Sequence, residues 1–144
     1  MRFWESSAVV PLVVREPATD IVAKLYATDA GLLVWCLTPV EVWSAVCRRR
    51  RDSILGSPAL REARTRLDRL GADWAELDDV GAVRRRARRL LEVHPLRTAD
   101  ALQLATALVA VADRPDGFPF VTLDARLAEA AEKEGFEILG VLPP

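Results

Sequence analysis

Four acids stand at places where strand-like runs give way to helical ones, or in the opening turn of a helix: Glu5, Glu41, Asp100 and Asp124. Phe120-Val121-Thr122-Leu123 ends at Asp124, and a helical pattern starts there. Arg2-Phe3-Trp4 meets Glu5 in the same way, and Ser6-Ser7-Ala8-Val9-Val10 follows. Two strands that each deliver a carboxylate to the mouth of a helix imply a shared acidic pocket. Clustered carboxylates are costly to bury without a cation or protons. A divalent ion such as Mg²⁺ or Mn²⁺ offsets that cost, and such ions support phosphodiester hydrolysis.

Each acid also has a purely structural role open to it. Asp124 can cap the helix that follows it. Asp100 lies in the first turn after Thr98, where a negative charge complements the helix dipole. Glu41 can be the reciprocal arm of a Thr38-Pro39-Val40-Glu41 capping box. Glu5 can be a surface acid beside Ser6. Joint placement favours a site: Asp100 leads Ala101-Leu102-Gln103-Leu104-Ala105-Thr106-Ala107, a nearly all-apolar helix that must be central.

The positioning elements read as alternating strands and helices. Strands are expected at Phe3-Trp4, Leu32–Trp35, Trp74–Leu77, Phe120–Thr122 and Phe136–Leu139. Helices are expected over Ser6–Val14, Asp20–Thr28 capped by Thr19, the stretch after Thr38, and Ala59–Leu70. Others run from Asp78 or Asp79 to Glu92, over Ala99–Asp113 capped by Thr98, and over Ala125–Glu134. Short apolar strands separated by helices imply a parallel sheet covered on both faces. Ligands of such sheets bind at the carboxyl ends of the strands, where strand order reverses.

Composition sets limits. The 144 residues fit one domain, 1–144, with a sizeable core. Lys and Arg total 20 against 21 Asp and Glu, so bulk charge does not argue for a nucleic-acid partner. The arginines are nevertheless bunched, in Arg48–Arg51 and in Arg84, Arg85, Arg86, Arg88 and Arg89. These runs are solvated helix faces, contacts to an RNA backbone, or a dock for an acidic partner. Cys36 and Cys47 lack metal-ligand spacing and read as buried, reduced thiols of a cytosolic protein. The N-terminus has no secretory layout, and Ala101–Ala112 is too short to span a bilayer. His94, the sole histidine, stands before Pro95 and reads as a turn residue. Ser6 and Ser7 lack a histidine base. A Rossmann-like nucleotide site lacks its glycine-rich loop, since Ser6-Ser7-Ala8 stands there.

Phe3–Val10, Thr38–Val42, Leu96–Ala105 and Phe120–Asp124 together resemble PIN-domain ribonucleases of the VapC toxin type, from type II toxin–antitoxin systems. The resemblance runs the length of the chain and implies an α/β/α sandwich on a short parallel sheet. It implies Mg²⁺- or Mn²⁺-dependent cleavage of RNA, often tRNA or rRNA, by Glu5, Glu41, Asp100 and Asp124. Thr122 and Ser6 are implied auxiliaries. Arg97, shortly before Asp100, reads either as a contact to a substrate phosphate or as a surface arginine at the helix entry. A VapB-like antitoxin, a homodimer and a cytoplasmic location are also implied, with Trp35, Trp43 and Tyr26 available for packing or interfaces. Glu5 departs from the family's usual Asp by one methylene, and Gln103 stands where members often carry His. The Glu5 departure leaves room for a PIN-fold interaction module with a weakened site, acting through its antitoxin complex.

Overall fold

The computed structural model describes residues 1–52 and 54–141. Among these residues, five short strands form one wholly parallel sheet: β1 (Arg2–Trp4), β2 (Leu32–Trp35), β3 (Ala75–Leu77), β4 (Pro119–Val121) and β5 (Glu137–Leu139). Their order is β3-β2-β1-β4-β5. The chain first builds outward from β1 through β2 to β3, then returns to lay β4 on the other flank of β1. Strand order therefore reverses between β1 and β4, where Phe3 pairs with Phe120 and Trp4 with Val121.

Among the described residues, seven helices cover the two faces. They are α1 (Ser6–Val13), α2 (Thr19–Thr28), α3 (Thr38–Arg51), α4 (Ser57–Asp73), α5 (Val80–Val93), α6 (Thr98–Ala110) and α7 (Ala125–Glu134). The pleat sends alternate residues to opposite layers. Phe3, Trp35 and Phe120 join the apolar faces of α5, α6 and α7. Trp4, Val34 and Val121 join those of α1, α3 and α4. Phe3 stacks on Phe120 with centroids 5.1 Å apart, and Phe120 meets Phe136 at 5.5 Å. Truncating a buried aromatic such as Phe120 to Ala costs about 3–5 kcal/mol. Among the described residues no helix is long and apolar enough to cross a membrane.

The three-layer α/β/α architecture agrees with the expected one, while several local expectations are corrected. Thr38 does not cap α3. Leu37 already sits in a helical turn and its carbonyl takes the amide of Glu41 at 3.1 Å. The Thr38 hydroxyl is thereby turned into the core, and no capping box forms. Thr19 and Thr98 likewise open their helices without capping them. Thr19 accepts from the amide of Glu16 and donates to the carbonyl of Pro11. Asp79, not Asp78, caps α5 through the amide of Ala82 at 3.0 Å. Helix α4 extends past Leu70 to Asp73, and α6 ends at Ala110, short of Asp113. Cys36 and Cys47 are free and half-buried, not fully buried, and burial raises the pKa of the Cys36 thiol.

A candidate acidic site at the strand-order reversal

Each acid reaches the same edge of the sheet on a different element. Glu5 follows β1 and is the N-cap of α1, with Oε1 accepting the amide of Ser7 at 3.0 Å. The same device recurs after β4. Asp124 is the N-cap of α7, with Oδ1 accepting the amide of Leu127 at 2.9 Å. Glu41 lies in the first turn of α3, and Asp100 in the first turn of α6. All four carboxylates thus sit at positive helix ends or within one turn of them. Glu5 is buried, whereas Glu41, Asp100 and Asp124 are half-buried.

Their electrostatics tie them into a ring. Burial raises the pKa of Glu5, and the Asp124 carboxylate adds to the rise. Burial pushes Glu41 up to about 7, and the charges of Glu5 and Asp100 contribute in the same direction. Burial also raises Asp100, helped by Asp124, while Arg97 and Arg126 act to lower it. Residues from positions 5, 41, 100 and 124 therefore feel one another across the fold, as like charges in a partly desolvated site must.

Hydroxyls and an amide hold this ring in place. The Ser7 hydroxyl donates to Glu5 Oε2, and the Thr122 hydroxyl donates to the same oxygen at 2.9 Å. Ser7 Oγ in turn accepts the amide of Leu123 at 2.9 Å, and Thr122 Oγ1 accepts that of Asp124 at 3.0 Å. The two strand ends are thereby laced to one another through side chains. Gly140 lies beneath this seam. Its φ of +98° is a glycine conformation, and a Cβ there would stand 2.8 Å from the carbonyl oxygen of Thr122. Gln103, wholly buried, donates to Ser6 Oγ at 2.7 Å and to Glu41 Oε1 at 3.0 Å. Among the described residues its own Oε1 has no hydrogen-bond partner.

An open cleft of about 590 Å³ borders Asp100 and Asp124, with Arg97 and Arg126 on its rim. The donors are all oxygens, a hard set that suits Mg²⁺ or Mn²⁺, with neither imidazole nor thiolate to favour zinc. In type and charge the residues fit such an ion. A closed cage is not preformed: among the described residues no three acidic, histidine or cysteine side chains converge closely enough to hold one. Glu5 is occupied by Ser7 and Thr122, Glu41 by Gln103, and one oxygen of Asp124 by its capped amide.

The sequence-derived residues Glu5, Ser6, Glu41, Arg97, Asp100, Thr122 and Asp124 all come to this edge. Ser7 and Arg126 are the additions, and Gln103, singled out in the sequence only for standing where members often carry His, joins them. Ser7 is signalled by its place two residues after an acid at a helix start, where its amide is an unpaired donor. Arg126 is signalled by its place two residues after Asp124, in the first turn of α7. Gln103 is one turn from Asp100 on α6, and as the polar residue of an apolar helix it had to face something polar. His94 is elsewhere: it ends α5 and its Nε2 lies 3.0 Å from Glu134. Trp35 is core, while Trp43 is partly buried beneath the guanidinium of Arg64 at 5.2 Å.

This fold is that of a known class. Residues 3–133 match the PIN domain family, and the chain belongs to that family and is of its VapC type. It is 31% identical over 137 residues to Ribonuclease VapC46 of Mycobacterium tuberculosis (strain ATCC 25618 / H37Rv), covering 95% of each chain. The structure is similar to a chain in the crystal structure of FitAcB from Neisseria gonorrhoeae, with a TM-score of 0.66 over 96% of each chain. At 14% identity that similarity supports the fold alone.

Proposed function

We propose that this PIN domain is a divalent-metal-dependent endoribonuclease and the toxin of a toxin–antitoxin pair. The observation that carries the reading is the ring of mutually coupled carboxylates at the strand-order reversal, Glu5, Glu41, Asp100 and Asp124. Its kinship to a protein named as a ribonuclease supports the choice of RNA as substrate.

In this reading the half-buried carboxylates of Asp100 and Asp124 are the principal holders of a Mg²⁺ or Mn²⁺ ion, with Glu5 and Glu41 as supporting oxygens. Such an ion, when bound, supplies a water of lowered pKa and offsets charge on the leaving oxygen. Arg97 and Arg126, on the rim, bind the flanking phosphates and orient the chain of the substrate. Thr122 and Ser7 fix Glu5, and Ser6 and Gln103 fix Glu41. With a pKa of about 7, Glu41 can hold or release a proton near neutrality, in reach of the charges of Glu5 and Asp100. A cognate VapB-like antitoxin inhibits by presenting a basic side chain to the same carboxylates. The toxin acts as a homodimer in the cytoplasm, on tRNA or rRNA, where the free thiols Cys36 and Cys47 stay reduced.

One observation favours a second reading, an attenuated module that works through its antitoxin complex. The carboxylate of Glu5 is wholly engaged by Ser7 and Thr122. The two separate on end-labelled tRNA and rRNA incubated with Mg²⁺, Mn²⁺ or EDTA. Endonucleolytic products with either metal and none with EDTA support the enzyme. Intact RNA in all three, with tight antitoxin binding, supports the module.

A further inference from the structure

The two arginine runs meet different fates. Arg48–Arg51 close α3, where cations complement the dipole. Arg49 pairs with Glu16, and Arg50 donates to Leu55 O and Ser57 Oγ. The run on α5 occupies the middle of its helix, where the dipole gives it nothing. Arg86 pairs with Asp113 and Arg89 with Glu134. Arg84, Arg85 and Arg88 are exposed, and among the described residues no carboxylate lies within ion-pair distance of them. The spacings 84/88 and 85/89 set like charges one turn apart, which costs a helix roughly 0.2–0.5 kcal/mol per pair.

Two hollows flank this ridge. One, of about 440 Å³, is bordered by Arg85, Arg86, Arg89 and the Arg86-paired Asp113, and the other, of about 280 Å³, by Arg84, Arg85 and Arg88. The Nε of Arg86 is buried beside the first, with no acceptor among the described residues. Apolar lining is limited to small side chains and Val109, so neither hollow offers a socket for the large apolar anchors of a protein partner. Planar guanidinium forks at one-turn intervals suit the repeating anions of a phosphodiester chain.

We infer that the Arg84-Arg85-Arg88 ridge of α5 is an exosite for the phosphate backbone of RNA, separate from the carboxylate cleft. This rests on the ribonuclease reading. Arg86 meets Asp113, beyond the far end of α6 from Asp100, so the ridge lies on the order of 20 Å along that helix from the cleft. A substrate touching both must therefore be several nucleotides long. Short oligonucleotides fill the cleft alone.

The test is filter binding of end-labelled bulk tRNA to full-length Asp100→Asn protein, which binds without cleaving, over a range of salt. Arg84→Gln/Arg85→Gln/Arg88→Gln is added to that background, with Arg48→Gln/Arg51→Gln as the basic-run control. The ridge variant is expected to bind at least about tenfold more weakly at low salt. The slope of log affinity on log salt is expected to fall by about 2, at roughly 0.7 per phosphate of a single strand. The control stays unchanged, and melting curves of the ridge variant match or exceed the parent. Equal affinity and slope in ridge variant and parent overturn the exosite and leave the ribonuclease reading standing. Loss of binding to a polyglutamate peptide with tRNA binding intact also overturns it, in favour of a protein dock. A parent that neither binds tRNA nor, with Asp100 restored, cleaves it removes the ribonuclease reading and the exosite together.

Discussion

The β1–α1 and β4–α7 junctions are built alike and end in opposite states. Both put an acid at the N-cap after a parallel strand, and both carboxylates accept a backbone amide of the new helix. At the first junction the acid is buried and held by two hydroxyls in addition. At the second, Asp124 is half-buried and borders the open cleft with Asp100. The difference follows from side-chain length and neighbours. Glu5 reaches across to Ser7 and Thr122, whereas Asp124 stops at its own cap and keeps an oxygen for the cleft. A cap can thus be a buried anchor at one strand end and a cleft-facing carboxylate at its neighbour.

The sharpest way to break this comparison is to neutralise the working side. Asp124→Asn keeps the cap, because the amide oxygen still accepts from Leu127. RNA cleavage is nevertheless expected to fall by at least about a hundredfold in initial-rate assays. The metal-free melting temperature stays level or rises, since a charge that disfavours ionisation of Glu5 and Asp100 is gone. A variant that cleaves at the wild-type rate would make Asp124 a cap and nothing more.

The anchored side is probed through its donors. Thr122→Val keeps the shape but strands the amide of Asp124 and withdraws one donor from Glu5. Urea unfolding is expected to show a loss of about 1–3 kcal/mol. Gly140→Ala strains the same seam from below, by contact with the Thr122 carbonyl and by its positive φ, and is expected to cost about 1–3 kcal/mol. If either change is neutral, the lacing of the strand ends does not contribute to stability.

Much of this arrangement was legible in the residues. Short apolar runs ending at acids located β1, β4 and their carboxylates, and the apolar run after Asp100 marked α6 as central. Helix starts were less legible. Thr19, Thr38 and Thr98 have the chemistry of caps, but the chain turned helical a residue early and tertiary partners took the hydroxyls of Thr19 and Thr38. Local pattern cannot report a competitor 65 residues away, such as Gln103 for Thr38. Burial of Glu5 was hidden for the same reason, since its donor Thr122 belongs to another strand end. The free state of the α5 arginines required knowing where Asp113 and Glu134 lie.

A smaller effect is expected from pH. The folded pKa of Glu41, about 7, is above its ordinary 4.5, and Glu5 and Asp100 are also raised. The folded protein then binds protons that the unfolded chain has released. The associated stability is complete below about pH 4.5 and is lost as pH rises through 7. In EDTA the melting temperature should be lower at pH 8 than at pH 5.5, and Glu41→Gln should narrow the gap. An unchanged gap would remove Glu41 from the ring. Smallest of all, Glu5→Asp frees the first junction to resemble the second. Mg²⁺-supported cleavage is expected to rise severalfold, with a stability loss of about 1 kcal/mol from the shortened contact to Thr122. Equal cleavage would place position 5 outside the reacting centre.

The central claim is that the fold gathers these carboxylates to hold a divalent ion, and Mn²⁺ titration followed by thermal melting tests it most directly. Binding to the folded state alone adds about 2.7 kcal/mol at a hundredfold excess over Kd. A domain of this size should then melt several degrees higher. Wild-type protein should show that rise at pH 8, and Asp100→Asn should not. A wild-type melting curve unmoved by Mn²⁺, or an equal rise in Asp100→Asn, would contradict the claim.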